Sequence, residues 1–211
     1  YYQQYIPDSF VYNDYQSDVI DKVLVRQKKM VRTKAPNAGV FVLLDDCMYD
    51  KKMIRDKCIR AIFMNGRHWK LFFMLTMQYC MDLSPDLRAN IDYVFILREN
   101  IIQNREKIYK NFFGIFPSFD MFNQVMNACT ENYECLVLDN TSKSNKIEDV
   151  VFWYKAKMYK PGDFRIGNDQ YWGCHKKNYN PKHDDADYEK LDPNKSEKKN
   201  RIALTIKKVK K

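Results

Sequence analysis

The fold of this chain is decided by one stretch, Gly39-Val40-Phe41-Val42-Leu43-Leu44-Asp45-Asp46. Five apolar residues follow one another without polar alternation and then stop at two acids. Such a run predicts a strand covered on both faces, the habit of a parallel sheet. Pro36, Asn37 and Gly39 make the turn into it. Upstream, Val19, Ile20, Val23, Leu24, Met30 and Val31 recur at helical spacing. Downstream, Asp50 is positioned to cap a helix whose inner face is Ile54, Cys58, Ala61, Ile62 and Asn65, with Lys51, Lys52, Arg55, Asp56 and Arg60 facing outward. Asn65-Gly66 ends that helix.

The same alternation continues. Leu71 to Met77 reads as a second buried strand, and Ser84-Pro85 opens a short helical segment. Asp92 to Arg98 reads as a third strand, Ile101 to Phe113 and Ser118 to Glu131 as helices, and Glu134 to Leu138 and Val150 to Tyr154 as strands. Strand–helix–strand alternation predicts an α/β fold, a mostly parallel sheet with helices on both faces. Ligands of such sheets bind at the carboxyl ends of the strands, here Asp45-Asp46, Gln78 and Arg98.

Composition narrows the class. The 211 residues are 45% hydrophobic and 30% charged, which excludes a disordered chain. No apolar run approaches the about 18 residues of a membrane span. The formal charge of +9 is unevenly spread: residues 176–211 carry 12 basic and 6 acidic side chains, leaving 24 and 21 in the preceding part. Residues 1–175 therefore read as the folded core and 176–211 as a basic tail, expected to be mobile and suited to an acidic partner such as nucleic acid. Cys47, Cys58, Cys80, Cys129, Cys135 and Cys174 form no CxxC pair and read as reduced thiols. Cys174, His175 and His183 do not have the spacing of a zinc site. Trp153, Tyr154, Tyr159, Tyr171 and Trp172 read as packing residues, with base stacking as the alternative.

Three constellations carry chemistry. Four or more apolar residues followed by two acids is the Walker B pattern of P-loop nucleotidases. A buried strand delivers a carboxylate rigidly to the sheet edge, where Asp45 can hold Mg²⁺, a hard ion that takes oxygen ligands. A second carboxylate, Asp46, can deprotonate the attacking water. Taken alone, the pair also suits a solvated turn. Gln78 closes the second strand and can sense a γ-phosphate or hold the water, since an amide both donates and accepts; a surface-loop Gln is the plain alternative. Arg88, in Ser84-Pro-Asp-Leu-Arg88-Ala-Asn90, can stabilise charge on a transferring phosphoryl group across a subunit interface, or form a surface ion pair. Arg98 beside Glu99 reads as structural.

Together these residues resemble the genome-packaging ATPases of large nucleocytoplasmic DNA viruses, in the FtsK–HerA group of P-loop motors. The resemblance rests on Tyr5-Ile-Pro-Asp-Ser-Phe-Val-Tyr12, Phe41-Val-Leu-Leu-Asp-Asp-Cys-Met-Tyr-Asp50, Asn65-Gly-Arg-His68, Thr76-Met-Gln-Tyr79 and Pro85-Asp-Leu-Arg-Ala-Asn-Ile-Asp-Tyr-Val-Phe95, and runs from about Tyr1 to about Trp172. It implies a RecA-like core, ATP and Mg²⁺ as cofactors, Asp45 on the metal, Asp46 as base, Gln78 as sensor and Arg88 as a finger supplied by a neighbour. It further implies double-stranded DNA as partner, a ring of copies (a hexamer), contact with a capsid portal or membrane proteins, and a place in the viral factory of the host cytoplasm or in the virion. One departure stands out: no GxxxxGK[ST] phosphate loop occurs here. With Tyr rather than Met first, the expectation is a C-terminal portion, incomplete at its N-terminus and unable to hydrolyse ATP by itself. The alternatives are a nonenzymatic DNA-binding or scaffold remnant of such an ATPase, and a different P-loop motor for transfer or segregation.

Overall fold

The structure, a computed structural model, describes residues 1–47, 51–79, 83–160 and 162–179, with backbone alone at 51 and 52. The expected helix cap Asp50, together with Cys80, His183 and all but the first residues of the basic tail, lies outside the described residues. The chain divides into two compact units: Asn13–Tyr159, and Tyr1–Tyr12 together with the segment from Lys160 onward.

Within Asn13–Tyr159 the order is α1 (Ser17–Arg32), β1 (Val40–Leu44), α2 (Lys51–Arg55), α3 (Lys57–Asn65), β2 (Leu71–Leu75), α4 (Pro85–Arg88), β3 (Tyr93–Ile96), α5 (Ile102–Phe112), α6 (Phe119–Cys129), β4 (Glu134–Asp139), α7 (Ile147–Val150) and β5 (Val151–Lys155). The fold is mixed α/β. β1 and β2 pair in parallel, Val40 opposite Leu71 through Leu44 opposite Leu75. The remaining strands form a separate antiparallel sheet in the order β3-β4-β5. The single, mostly parallel sheet of the sequence reading is therefore corrected: the parallel part among the described residues is a pair.

The reason lies in the connections. After β1, helices α2 and α3 make one net crossing, and a single crossing brings the next strand in parallel. After β3, the chain runs out along α5 and back along α6. Arg105 meets Asn123 and Asn127, and Tyr109 stacks near Phe119 and Phe122, the pairing of an antiparallel helical hairpin. Two crossings return β4 to the end where β3 finished, so it pairs antiparallel.

Coverage on both faces is corrected as well. Val40, Val42, Leu44, Leu71, Phe73 and Leu75 pack with Ile20 and Leu24 of α1 and with Cys58, Ile59 and Ile62 of α3. The alternate residues of β2 face away, Phe72 at 62% and Met74 at 36% exposure. The second sheet is also one-sided. Val94, Ile96, Leu136, Leu138 and Val151 join Ile108, Phe113, Phe122 and Met126, while Tyr93 and Phe95 are exposed.

Two polar residues set the geometry. Gln27, fully buried in α1, donates from Nε2 to Ala38 O at 2.7 Å and Trp69 O at 2.9 Å, so one amide aligns the starts of β1 and β2. Asp56 was expected to face outward on a continuous helix. It instead breaks that helix and caps α3, its Oδ1 accepting from Cys58 N–H at 2.7 Å.

The second unit contains 3-10 turns at Tyr2–Gln4 and Asp8–Phe10, and α8 (Asp169–Asn178). Asp8 N–H donates to His175 Nδ1 at 3.0 Å, His175 stacks on Tyr179, and Trp172 is buried.

Candidate functional site

β1 and β2 end side by side, and their last residues close on one another. Thr76 N–H donates to Leu44 O at 3.0 Å, which extends the ladder one residue past the strands. The Thr76 hydroxyl then donates to Asp45 Oδ1 at 2.5 Å and accepts from Asp46 N–H at 2.9 Å. Gln78 Nε2 reaches both Asp46 oxygens, each at 3.0 Å. Asp46 stands at φ +50°, a left-handed conformation that Asp tolerates better than most residues. Asp45, Asp46, Thr76 and Gln78 are all exposed, so the four polar groups lie open at the sheet edge. The structure thus brings together three sequence-identified residues, Asp45, Asp46 and Gln78. It adds Thr76, whose signal was its place two residues before Gln78 on the same strand end.

The local field is negative. Cys47, half-buried, donates from Sγ to Asp45 O at 3.3 Å. Burial, then the carboxylates of Asp45, Asp46 and Asp14, push its thiol up, so it stays protonated at neutral pH. Beside Gln78, Tyr79 OH meets Lys107 Nζ at 3.0 Å, linking this edge to α5.

Arg88 closes α4, half-buried, with its guanidinium 5.9 Å from the centre of the Phe112 ring. The Arg60–Asp86 ion pair at 2.7 Å ties α4 to α3. The Ser84 hydroxyl, then Arg60, hold the Asp86 carboxyl below the usual range. Arg98 pairs with Glu131 at 2.8 Å, a structural contact as read from the sequence.

Among the described residues no group of three or more His, Cys, Asp and Glu side chains is arranged to hold a metal ion. His175 is engaged by Asp8, and Cys174 beside it is exposed. Five cysteines, Cys47, Cys58, Cys129, Cys135 and Cys174, are free thiols, two of them buried. Of the late aromatics, Trp172 is buried, whereas Trp153, Tyr154, Tyr159 and Tyr171 are exposed, which departs from a packing role for those four. No described helix is long and apolar enough to cross a membrane.

No family model matches the chain. It is 37% identical over 201 residues to an uncharacterised protein of Acanthamoeba polyphaga mimivirus, covering 90% of this chain and 69% of that protein. It is 39% identical over 173 residues to an uncharacterised protein of Frog virus 3, covering 82% and 53%. An uncharacterised protein of Invertebrate iridescent virus 6 is 34% identical over 184 residues, covering 87% and 71%. The chain thus spans from about half to about seven tenths of the length of these relatives. Among solved structures, it is similar to the genome packaging NTPase of Sulfolobus turreted icosahedral virus 2 in complex with AMP, at 18% identity and a TM-score of 0.48, covering 70% of this chain and 66% of that one.

Proposed function

The chain belongs to the viral protein family that contains these mimivirus and iridescent virus relatives, and from that premise we propose that it is the metal- and water-handling part of a genome-packaging ATPase, a ring motor that drives double-stranded DNA into a capsid. One observation carries the reading. Two adjacent carboxylates stand at the carboxyl end of a parallel strand pair, and the neighbouring strand closes a hydroxyl and an amide onto them. That is the edge at which α/β sheets bind ligands.

The donors are all oxygen, which suits a hard cation held mainly through water and phosphate. Mg²⁺, held there by Asp45 through water, would neutralise charge on the phosphates as the phosphoryl group transfers. The chain's own residues do the rest. Asp45 orients the hydrated ion. Asp46 takes the proton of the attacking water, whose oxygen bonds to the γ-phosphorus as the bridging P–O bond breaks and ADP leaves. Gln78 holds Asp46 through Nε2 and turns its carbonyl Oε1 to the same water. Arg88 completes the site of a neighbouring subunit. A triphosphate-binding loop would be supplied from outside these 211 residues, none of which form a GxxxxGK[ST] motif.

Steady-state ATPase measurements on the full-length protein test this. Asp46→Asn should retain ATP binding and lower turnover by roughly 10²-fold or more, the scale of lost general-base catalysis. Asp45→Asn should instead weaken Mg²⁺-dependent nucleotide binding. Wild-type turnover in Asp46→Asn removes the base from this residue. A full-length protein that binds DNA without hydrolysing ATP replaces the motor with a scaffold.

A further inference from the structure

We propose that Thr76 is the positioning residue of the acidic pair, holding both aspartates through one hydroxyl; this rests on the ATPase reading above. A hydroxyl has one proton and two lone pairs. Here the proton is committed to Asp45 Oδ1 at 2.5 Å, and a lone pair accepts Asp46 N–H at 2.9 Å. The hydroxyl is itself well placed, because Thr76 N–H is fixed on Leu44 O by the β1–β2 ladder.

The two bonds act differently. The bond to Asp45 sets the rotation of that carboxylate. The bond from Asp46 N–H secures the peptide that enters a left-handed turn, φ +50°, a conformation unfavourable for most non-glycine residues. With that turn held, the Asp46 side chain points to Gln78 Nε2. Without it, nothing in the strand pairing obliges residue 46 to leave the extended conformation of β1. Thr76 therefore transmits the register of the two strands to both carboxylates. Catalytic groups misplaced by about 1 Å lose on the order of 10²-fold in rate, so the hydroxyl matters to chemistry rather than to packing. Thr76 is exposed, and its removal opens no cavity.

The test compares Thr76→Val with Thr76→Ser in the full-length protein. Valine keeps the β-branched shape that suits the strand end and loses the hydroxyl; serine keeps the hydroxyl and loses the methyl. Thr76→Val should lower kcat by about 10- to 100-fold with KM for ATP little changed, and should raise the Mg²⁺ concentration giving half-maximal rate. Thr76→Ser should restore both. Hydrogen–deuterium exchange of residues 41–47, without nucleotide or metal, gives a readout independent of turnover. The Asp46 amide should exchange at least about 10-fold faster in Thr76→Val and as in wild type in Thr76→Ser. If Thr76→Val turns over and exchanges like wild type, the role is wrong while the ATPase reading stands. Thr76→Ser as impaired as Thr76→Val also overturns it, since the methyl would then matter. A wild-type protein that hydrolyses no ATP overturns the ATPase reading, and with it the catalytic part of this role.

Discussion

The two sheets of the Asn13–Tyr159 unit are built from similar apolar strands and end in different chemistry. β1 and β2 run together and stop together, so Asp45, Asp46, Thr76 and Gln78 meet at one edge. β3 and β4 run opposite ways. The end of β3 is met by the start of β4, and what gathers there is a structural set: Arg98 on Glu131, the Glu99 carboxylate on Ile101 N–H, and buried Arg105. Parallel pairing concentrates polar strand ends at one edge; antiparallel pairing divides them between two. The same hydrophobic run therefore ends in an open polar edge in one sheet and in an anchoring cluster in the other.

That contrast can be tested where the regions touch. Arg88 belongs to α4, after β2, yet rests on Phe112 of α5. If it serves a neighbouring subunit's site, Arg88→Ala should lower kcat by up to about 10³-fold with little change in nucleotide affinity. Mixed rings of Arg88→Ala and Asp46→Asn subunits should recover activity, because some interfaces then join an intact Arg88 to an intact Asp46. Absence of rescue would move the finger to another residue, and full activity in Arg88→Ala would leave Arg88 as a packing cation.

Arg105 sharpens the other half. At 6% exposure it donates to Glu99 O at 2.5 Å and to Asn123 Oδ1 and Asn127 Oδ1 at 2.6 Å each, closing the α5–α6 hairpin. Arg105→Ala removes the donor to three acceptors, the partly buried Glu99 O and Asn123 Oδ1 and the exposed Asn127 Oδ1, and should cost about 2 kcal/mol in urea unfolding. Turnover per folded molecule should stay within about twofold, since no Arg105 bond reaches the acidic edge. A larger fall would show that the two sheets share more than a core.

The smallest effect is expected at Asp56. Burial raises its carboxyl, but the Ser17 hydroxyl, the Cys58 amide and the Tyr15 hydroxyl outweigh burial and hold it below the usual range. A carboxyl depressed in the folded state contributes stability that is full above its unfolded value of about 4 and is lost as pH falls through the folded value. Asp56→Ala should cost about 1 kcal/mol at neutral pH, as N-cap removal does. The gap from wild type should narrow in thermal melts taken from about pH 7 down to about pH 3. A gap unchanged with pH would show that the charge of Asp56 plays no part in its cap.

The strands and the acidic edge were legible because each rests on local pattern. An unbroken apolar run followed by two acids, then a helix at 3.6-residue spacing, specifies β1, the end of α3 and the start of β2, though not the break at Asp56 that divides α2 from α3. Asp45, Asp46 and Gln78 follow from strand ends alone. What stayed hidden depends on counting crossings. Ile101 to Phe113 and Ser118 to Glu131 were legible as helices, but strand direction comes from their hairpin, which is fixed by Arg105, Asn123 and Asn127 across long separations. The single-sided cover of Phe72 and Phe95 was equally hidden, because an apolar run looks the same whether or not a second layer lies over it. Thr76 was visible as a residue and silent as a role, since a hydroxyl declares its partners only in three dimensions. α8, with a single buried residue, Trp172, gave too weak a periodicity to read.

The left-handed backbone at Asp46 narrows the alphabet open to that position. Asparagine and aspartate accept φ near +50° with least penalty after glycine; of these three, aspartate alone carries a negative charge. Glutamate has the charge, but its longer arm departs from the 3.0 Å reach of Gln78, and its backbone is less at ease there. Site-saturation at 46 should therefore separate into two tiers, Asn and Gly folded but chemically silent and the β-branched residues disturbed in the turn itself, which makes Asp46→Asn the cleanest chemical probe and Asp46→Val a poor one.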